Sequence, residues 1–463
     1  MEDPMVEELI LPDIKALLEE GATDEVAQFL SDRYPSEVAE ILSNFTKEEV
    51  YEILNRMDPQ VRADVFCELP QSLQAELASQ LDKNELAKLV VRLSPDDRVD
   101  LLKALPEEQF EEVLPILAQR EREDIRKLAS YREGTAGSIM TTDYIALPGD
   151  LSVRQALERI RLEGSAKESI YSIFVVDAHR HLLGVIALAD LILANPNKRL
   201  EEIMDDQVVS VQADADREEA VYKFSKYDLV ALPVVDPQGV LVGIITHDDA
   251  LDVIEQERTE DMERFMAIAG KHEDTAYLHT PIWSHFRHRV VWLVILAALG
   301  LISGAILQSF EAILTNLVIL AFYMPMLADT GGNTGSQSAT VVVRALALKE
   351  IGPRDTLKVL WKECRVGLLL ALVLGVLAFA RVYFMSDPSQ IPPGLDVVRI
   401  GFAIGLALGI QVVSATVIGA LLPLLAAAIK LDPALVASPA LTTIVDITGL
   451  FIYFNTAKFI LGI

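Results

Sequence analysis

An aspartate stands inside an apolar run near the C-terminus, at Asp446 in ALTTIVDITGLFIYF. No Lys or Arg lies within a helical turn of it, and only Thr442, Thr443 and Thr448 supply polar atoms nearby. A carboxylate in hydrocarbon is costly without a partner, and a hard cation held by oxygen ligands would supply one. A second polar cluster occupies YMPMLADTGGNTGSQSATVVVRALA, where Asp329 is followed by Gly331, Gly332 and Gly335 and preceded by Pro325. These residues are expected to break a helix at its polar end and turn backbone carbonyls toward a cavity, with Asn333, Thr334, Ser336 and Gln337 adding neutral oxygens. Soft metals are disfavoured because no Cys or His lies in either cluster. Mg²⁺ gives up its waters reluctantly and is commonly held by one or two carboxylates plus retained water, which suits one aspartate per chain.

The elements that must position these groups are five apolar stretches near 289–308, 313–330, 365–385, 398–427 and 436–461, each near the length of about 20 residues that spans a bilayer. The fourth is interrupted by Gln411, Ser414, Thr416 and Pro423, so its helix is expected to face protein or water. Arg287, Arg289, Arg344, Lys349, Arg354, Lys358, Lys362, Arg365 and Lys430 fall on one side and Arg381, Arg399 and Lys458 on the other. That bias puts the N-terminus in the cytosol and the C-terminus outside a cell membrane. Five helices enclose little space, so a path between two copies with paired Asp446 carboxylates is expected.

Charge separates the halves. Residues from 281 onward carry 9 acids and 12 bases, whereas the preceding residues carry 59 acids and 28 bases. Such negative charge repels nucleic acid and favours cations. The opening MEDPMVEELI has no basic segment followed by an apolar run, so no cleaved signal peptide is expected, and Cys67 and Cys364 are too few and too distant for a disulfide framework. No nucleophile–base pair or phosphate-binding Gly-rich loop suggests an enzyme.

Residues 1–130 read as short amphipathic helices, in which MDPQVRADVF recurs as LSPDDRVDLL 36 residues later, predicting an α-helical superhelical repeat. Arg62 and Arg98 are candidates to pair with Asp64 and Asp100, and Asp96 and Asp100 share a helix face. Residues 131–256 change to an α/β alternation in two similar units, IYSIFVVDAHRHLLGVIALADLI and DLVALPVVDPQGVLVGIITHDDAL. Residues 250–280 form an acidic amphipathic stretch leading into the membrane half, 281–463. Its acids, Asp252, Glu255, Glu257, Glu260, Asp261 and Glu263, suit a lever whose repulsion cations relieve.

The two α/β units resemble a tandem CBS-domain pair, and GIITHDD resembles that family's nucleotide-binding pattern. The resemblance implies Thr246 on phosphate, Asp249 on ribose, and Tyr171 and Tyr227 beside the base. GVIALAD departs from the pattern with Ala187 in place of the hydroxyl residue, implying at most one adenine nucleotide such as ATP per pair.

The whole chain, with its PMLADTGGNTGSQSAT and DPALVASPALTTIVDITG segments, resembles the MgtE family of Mg²⁺ transporters or channels. That implies a multidomain membrane protein with a superhelical N-domain, a CBS pair, a connecting helix and a five-helix all-α transmembrane domain, assembled as a homodimer with its pore on the two-fold axis. It also implies Asp446 as the selectivity aspartate, a pore lined by Gly331, Gly332, Asn333, Thr334, Gln337, Ser438 and Thr442, and closure at high internal Mg²⁺. The inhibitory Mg²⁺ sites would fall at Asp228, Asp249, Asp252, Glu257, Glu260, Asp261 and Asp432, with Glu218, Asp96 and Asp100 beside them. Ser438 stands where some relatives have Asn. An ion-coupled divalent-cation transporter and a membrane-anchored nucleotide sensor are the competing functions.

Overall fold

A computed structural model of the chain describes residues 4–268, 280–386, 391, 395–436 and 439–462. It contains two compact units, one ending at Glu257 and the other formed from Arg258 onward and by Thr280–Ile463.

The first unit opens with short helices: α1 (Pro4–Glu19), α2 (Thr23–Ser31), α3 (Pro35–Leu42), α4 (Lys47–Arg56), α5 (Pro59–Glu68), α6 (Gln71–Gln80), α7 (Lys83–Val90), α8 (Pro95–Ala104), α9 (Glu107–Val113) and α10 (Gln119–Ala129). Helix starts are encoded locally. Pro occupies the first turn of α3, α5 and α8, where its missing N–H costs nothing. Asp58 and Ser94 cap the two repeat copies by accepting from Gln60 and Asp97 backbone N–H groups. From α2 to α6, helices pack on the second one along, α2 on α4, α3 on α5 and α4 on α6, and α6 and α10 both pack on α8. Leu30, Leu42, Ile53, Phe66, Leu86 and Leu102 are among the buried residues. The anticipated Arg–Asp pairing within each repeat is not made among the described residues: Asp64 accepts from Gln60, and Arg98 donates to the Val91 carbonyl.

The α/β part repeats one topology. β1 (Ile145–Pro148), α11 (Val153–Glu163), β2 (Ser172–Val176), β3 (Leu182–Ala187) and α12 (Leu188–Leu193) form the first copy. β4 (Val211–Gln212), α13 (Arg217–Lys226), β5 (Leu232–Val235), β6 (Leu241–Ile245) and α14 (His247–Phe265) form the second. Each three-stranded sheet pairs its first strand parallel and its last antiparallel to the middle one, with matching register shifts at Val175/Val176 and Val234/Val235. Both hairpin turns are built alike, since Asp177 accepts from the His179 and His181 N–H groups and Asp236 from those of Gln238 and Val240. Thr141 and Ile244 exchange backbone hydrogen bonds of 2.8 and 3.0 Å, tying the entry of the first copy to the last strand of the second.

The second unit holds α15 (Ile282–Ser309), α16 (Glu311–Asn316), α17 (Ile319–Ala347), α18 (Thr356–Met385), α19 (Val397–Ala428) and α20 (Pro439–Leu461). Among the described residues four segments, Ile282–Ser309, Pro353–Met385, Val397–Ala428 and Ala440–Leu461, are long and apolar enough to cross a membrane, and α17 is not one of them. α17 corrects the expectation of a break: it runs 29 residues without interruption through Pro325 and all three glycines. Hydrogen bonds kept within the helix satisfy its backbone in apolar surroundings, and the glycines serve close packing instead. α19 is central, packing against α17, α18 and α20. A Cβ on Gly405 would lie 2.7 Å from the Gly375 carbonyl, and one on Gly419 would overlap the Gly335 backbone, so both crossings depend on the missing side chains.

Candidate cation path and acidic cluster

In α20, Asp446 is half-buried, and its Oδ1 is buried with no hydrogen-bond partner among the described residues. α17 packs directly on α20. The contact is close because Gly332 meets the Thr442 methyl, 3.1 Å from where a Cβ would stand, and Gly335 accommodates Val445 and Leu441. The two polar sequence clusters are therefore neighbours. Gln411 of α19 reaches between them, its Nε2 donating to the Leu327 carbonyl at 3.0 Å while Gly331 and Gly449 leave room for its amide.

The polar residues of α17 divide by face. Asp329, Asn333 and Gln337, four residues apart, are exposed along one stripe, and Asn333 Nδ2 donates to Asp329 Oδ1 at 3.2 Å. Thr334, Gly331 and Gly332 lie on the buried side, and Thr334 donates to the Thr330 carbonyl of its own helix. The glycine cluster and Thr334 are thus turned toward helices of the same chain rather than toward the exposed stripe. Ser438 lies outside the described residues. Sequence reasoning missed Glu363 of α18, a buried carboxylate whose Oε2 is 2.8 Å from the Ser338 hydroxyl, which also contacts the Thr416 carbonyl at 2.9 Å. Its flanking sequence, WKECRVG, reads as an interfacial helix start and gives no sign of burial.

At the end of α14, Phe265 packs against the cluster of Ala339, Ala415, Leu441 and Val445. One residue earlier, Arg264 is ion-paired with Glu260 and, at 2.9 Å, with Asp432, whose other oxygen accepts the Ala434 N–H. Two of the expected cation ligands, Glu260 and Asp432, are thus bridged by a guanidinium. Glu257 pairs with Arg217 at 2.5 Å. Asp261 is exposed on the same helix, and Glu218 stands in the first turn of α13.

In the first unit, Asp96 is buried at the start of α8, with Oδ1 lacking a hydrogen-bond partner among the described residues. Burial, reinforced by the charges of Asp249, Glu168 and Asp97, pushes its carboxyl well above the usual range. Asp249 is pushed up to about 7 by burial and by Asp248, Glu168 and Asp97, against the opposing hydrogen bond from Thr246. Glu68 is raised by burial and by Asp252, Asp97 and Asp248, and Glu168 by burial and by Asp248, Asp97 and Asp143. Carboxylates from α5, α8, the segment before β2 and α14 therefore repel one another, although among the described residues no three His, Cys, Asp or Glu side chains are grouped closely enough to hold a metal ion. Asp100 is exposed one turn beyond Asp96 and has Lys103 and Glu133 as charged neighbours. Asp96, Asp249 and Asp252 stood out as candidates from motif resemblance, whereas Glu68, Asp97, Glu168 and Asp248 come near them only through tertiary packing.

A separate cleft of about 450 Å³ lies between the two α/β copies, lined by β2, β3, residues 203–209 and residues 227–233. Tyr227 and Asp228 reach it. Tyr171 is exposed and does not line it, and Thr246 and Asp249 bond each other within the acidic cluster instead. The motif aspartate in the cleft is Asp190 of the first copy, passed over because Ala187 precedes it.

Residues 324–456 match the family described as MgtE, divalent cation transporter; residues 33–134 match the MgtE intracellular N domain, and 136–197 and 200–256 match CBS domains. A magnesium transporter MgtE of Thermus thermophilus is 42% identical over 334 residues, 72% of each chain. The chain belongs to the MgtE family. Another MgtE magnesium transporter, from Bacillus subtilis, is 34% identical over 71% of this chain and 70% of its own. A solved cytosolic domain of the Mg²⁺ channel MgtE in complex with ATP is 35% identical, with a TM-score of 0.50, covering 52% of this chain and 99% of its own. A solved soluble part of a magnesium transporter matches with a TM-score of 0.50 at 28% identity, over 54% and 99%. The family is one of divalent-cation transporters rather than enzymes, in keeping with the helices long and apolar enough to cross a membrane.

Proposed function

We propose that this chain takes up Mg²⁺ through a membrane pathway that internal Mg²⁺ closes. The observation that carries the reading is the buried Asp446 Oδ1, without a hydrogen-bond partner among the described residues, in an apolar helix, because a hydrated divalent cation would supply such a partner. The names of the relatives at 42% and 34% identity favour Mg²⁺ as that cation.

α15 and α17 to α20 are the five spans, with the N-terminal domains in the cytosol and the C-terminus outside. The path runs between two copies. Support comes from the exposed Asp329–Asn333–Gln337 stripe, which is ill suited to lipid, and from α15, which buries no residue among the described residues of its own chain. Thr442, Gly331, Gly332, Thr334 and the Ser438 segment shape the wall that presents Asp446.

Closure is a population shift. The acidic clusters repel when empty, and Mg²⁺ bridging Asp96, Asp249, Asp252 and their neighbours stabilises the closed arrangement, with Asp228, Glu218, Asp100 and the acids of α14 as further ligands. The Asp432–Arg264–Glu260 pairing couples α14 to the loop before α20. An adenine nucleoside or nucleotide in the cleft between the CBS copies modulates this balance, a role favoured by the relative solved with ATP.

Mg²⁺-dependent growth of uptake-deficient cells tests the assignment. Wild-type chain should restore growth at low Mg²⁺ and Asp446→Ala should not; equal rescue by both would remove Asp446 from the path.

A further inference from the structure

The cleft between the α/β copies has walls suited to a purine and a rim unsuited to phosphate. Phe174, Ile186, Val208 and Pro233 give an apolar slot, Tyr227 offers a ring, and a volume of about 450 Å³ lies within the range of small-ligand sites. Among the described residues, the ionisable groups lining it, apart from the Tyr227 phenol, are Asp190, Asp205 and Asp228, and none of the lining residues is Lys, Arg or His. Lys226, the residue before Tyr227, is not among them; its ammonium lies 5.6 and 5.4 Å from the centroids of the Tyr222 and Tyr227 rings. Asp205 is fixed by backbone bonds of 3.0 and 2.9 Å with Val185, and its Oδ1 accepts the Gln207 N–H. Asp228 adopts φ +49°, a left-handed conformation uncommon for a residue other than glycine, so its placement at the cleft is held by the surrounding fold. Ala187 removes the hydroxyl that a phosphate would meet, and α12, six residues long, offers no helix N-terminus of useful length.

We infer that this cleft takes an adenine nucleoside whose 5′ substituent is neutral or cationic and discriminates against nucleoside triphosphates. The inference rests on the reading of the cleft as an adenine site and narrows it: Asp190 remains to accept from ribose hydroxyls, while Asp205 and Asp228 repel anions and favour a positive substituent such as a sulfonium. Specificity here arises from an unfavourable element against the competing ligand as much as from contacts to the favoured one.

Equilibrium binding of radiolabelled adenosine to the full chain in detergent, competed with S-adenosylmethionine, AMP and ATP at fixed Mg²⁺, decides the matter. Adenosine and S-adenosylmethionine should bind at least tenfold more tightly than ATP, with AMP between them. Asp190→Ala should abolish adenosine binding, and Asp205→Asn should improve ATP relative to adenosine at least fivefold. ATP binding as tightly as adenosine would overturn the charge selectivity and leave the adenine site standing. Binding of none of the four, or adenosine binding indifferent to Asp190→Ala, would overturn the site itself.

Discussion

Asp96 and Asp249 show how individual carboxylates could read cation concentration. Both have their carboxyls raised by burial and like charge, so the arrangement that gathers them is favoured by protonation. Without Mg²⁺, the gathered state is therefore most stable in acid and weakens as pH rises through about 7, where Asp249 ionises. Mg²⁺ takes over above that pH and must displace protons below it. Protection of the first unit from protease should require roughly tenfold more Mg²⁺ per pH unit below 7 for each proton displaced; a midpoint independent of pH between 6 and 8 would contradict this. Asp96→Asn removes both a repulsive charge and a ligand, so it should raise protection in EDTA and flatten the response to added Mg²⁺. Asp446, Asp96 and Asp249 stand out as candidates in the sequence because each lies in a distinctive local pattern. Glu168, Glu68 and Glu363 were not, because ordinary flanking residues conceal contacts made by distant segments of chain.

At the scale of elements, the instructive case is α17. Its glycines suggested a break when considered one at a time, yet they fall on one helix side, where they admit Gln411, Thr442 and the backbone of α19. A glycine-rich run in apolar surroundings satisfies its backbone most cheaply by staying helical, and the sequence alone did not show which neighbours required the space. Gly419→Val should therefore force α17 and α19 apart, at a cost of about 1–3 kcal/mol or more, detected as a lowered melting temperature in detergent; an unchanged melting temperature would contradict the close crossing. The duplicated α/β units and the apolar helices were plain from strand pattern, turn aspartates and hydropathy. α14 is bound to the loop before α20 through Arg264, in a partly exposed pair of the kind that contributes about 0.2–1 kcal/mol. Arg264→Glu should shift the closing Mg²⁺ concentration up to about fivefold, and adding Asp432→Arg should return it toward wild type, as measured by flux.

For the whole molecule, the proposed function gives two tasks to one kind of side chain. A few carboxylates sit in apolar helices and many sit in the acidic half, so the same ion that crosses can report its arrival. The stripe on α17 gives this arrangement a direct topological test. With Cys67 and Cys364 replaced, Gln337→Cys should react with a water-soluble thiol reagent and lose flux, while Val376→Cys on the exposed apolar face of α18 should not react; equal reactivity would remove the stripe from the path. The central claim is that Asp446 holds the permeating Mg²⁺ and that internal Mg²⁺ closes the path. Mg²⁺ entry into liposomes containing the purified chain, followed by an internal indicator at a series of Mg²⁺ concentrations on the face that bears the acidic half, tests both parts together. The account predicts entry that falls as Mg²⁺ on that face rises, with none for Asp446→Asn at any concentration. Undiminished entry through Asp446→Asn, or entry that needs an opposing ion gradient and ignores Mg²⁺ on that face, would contradict it.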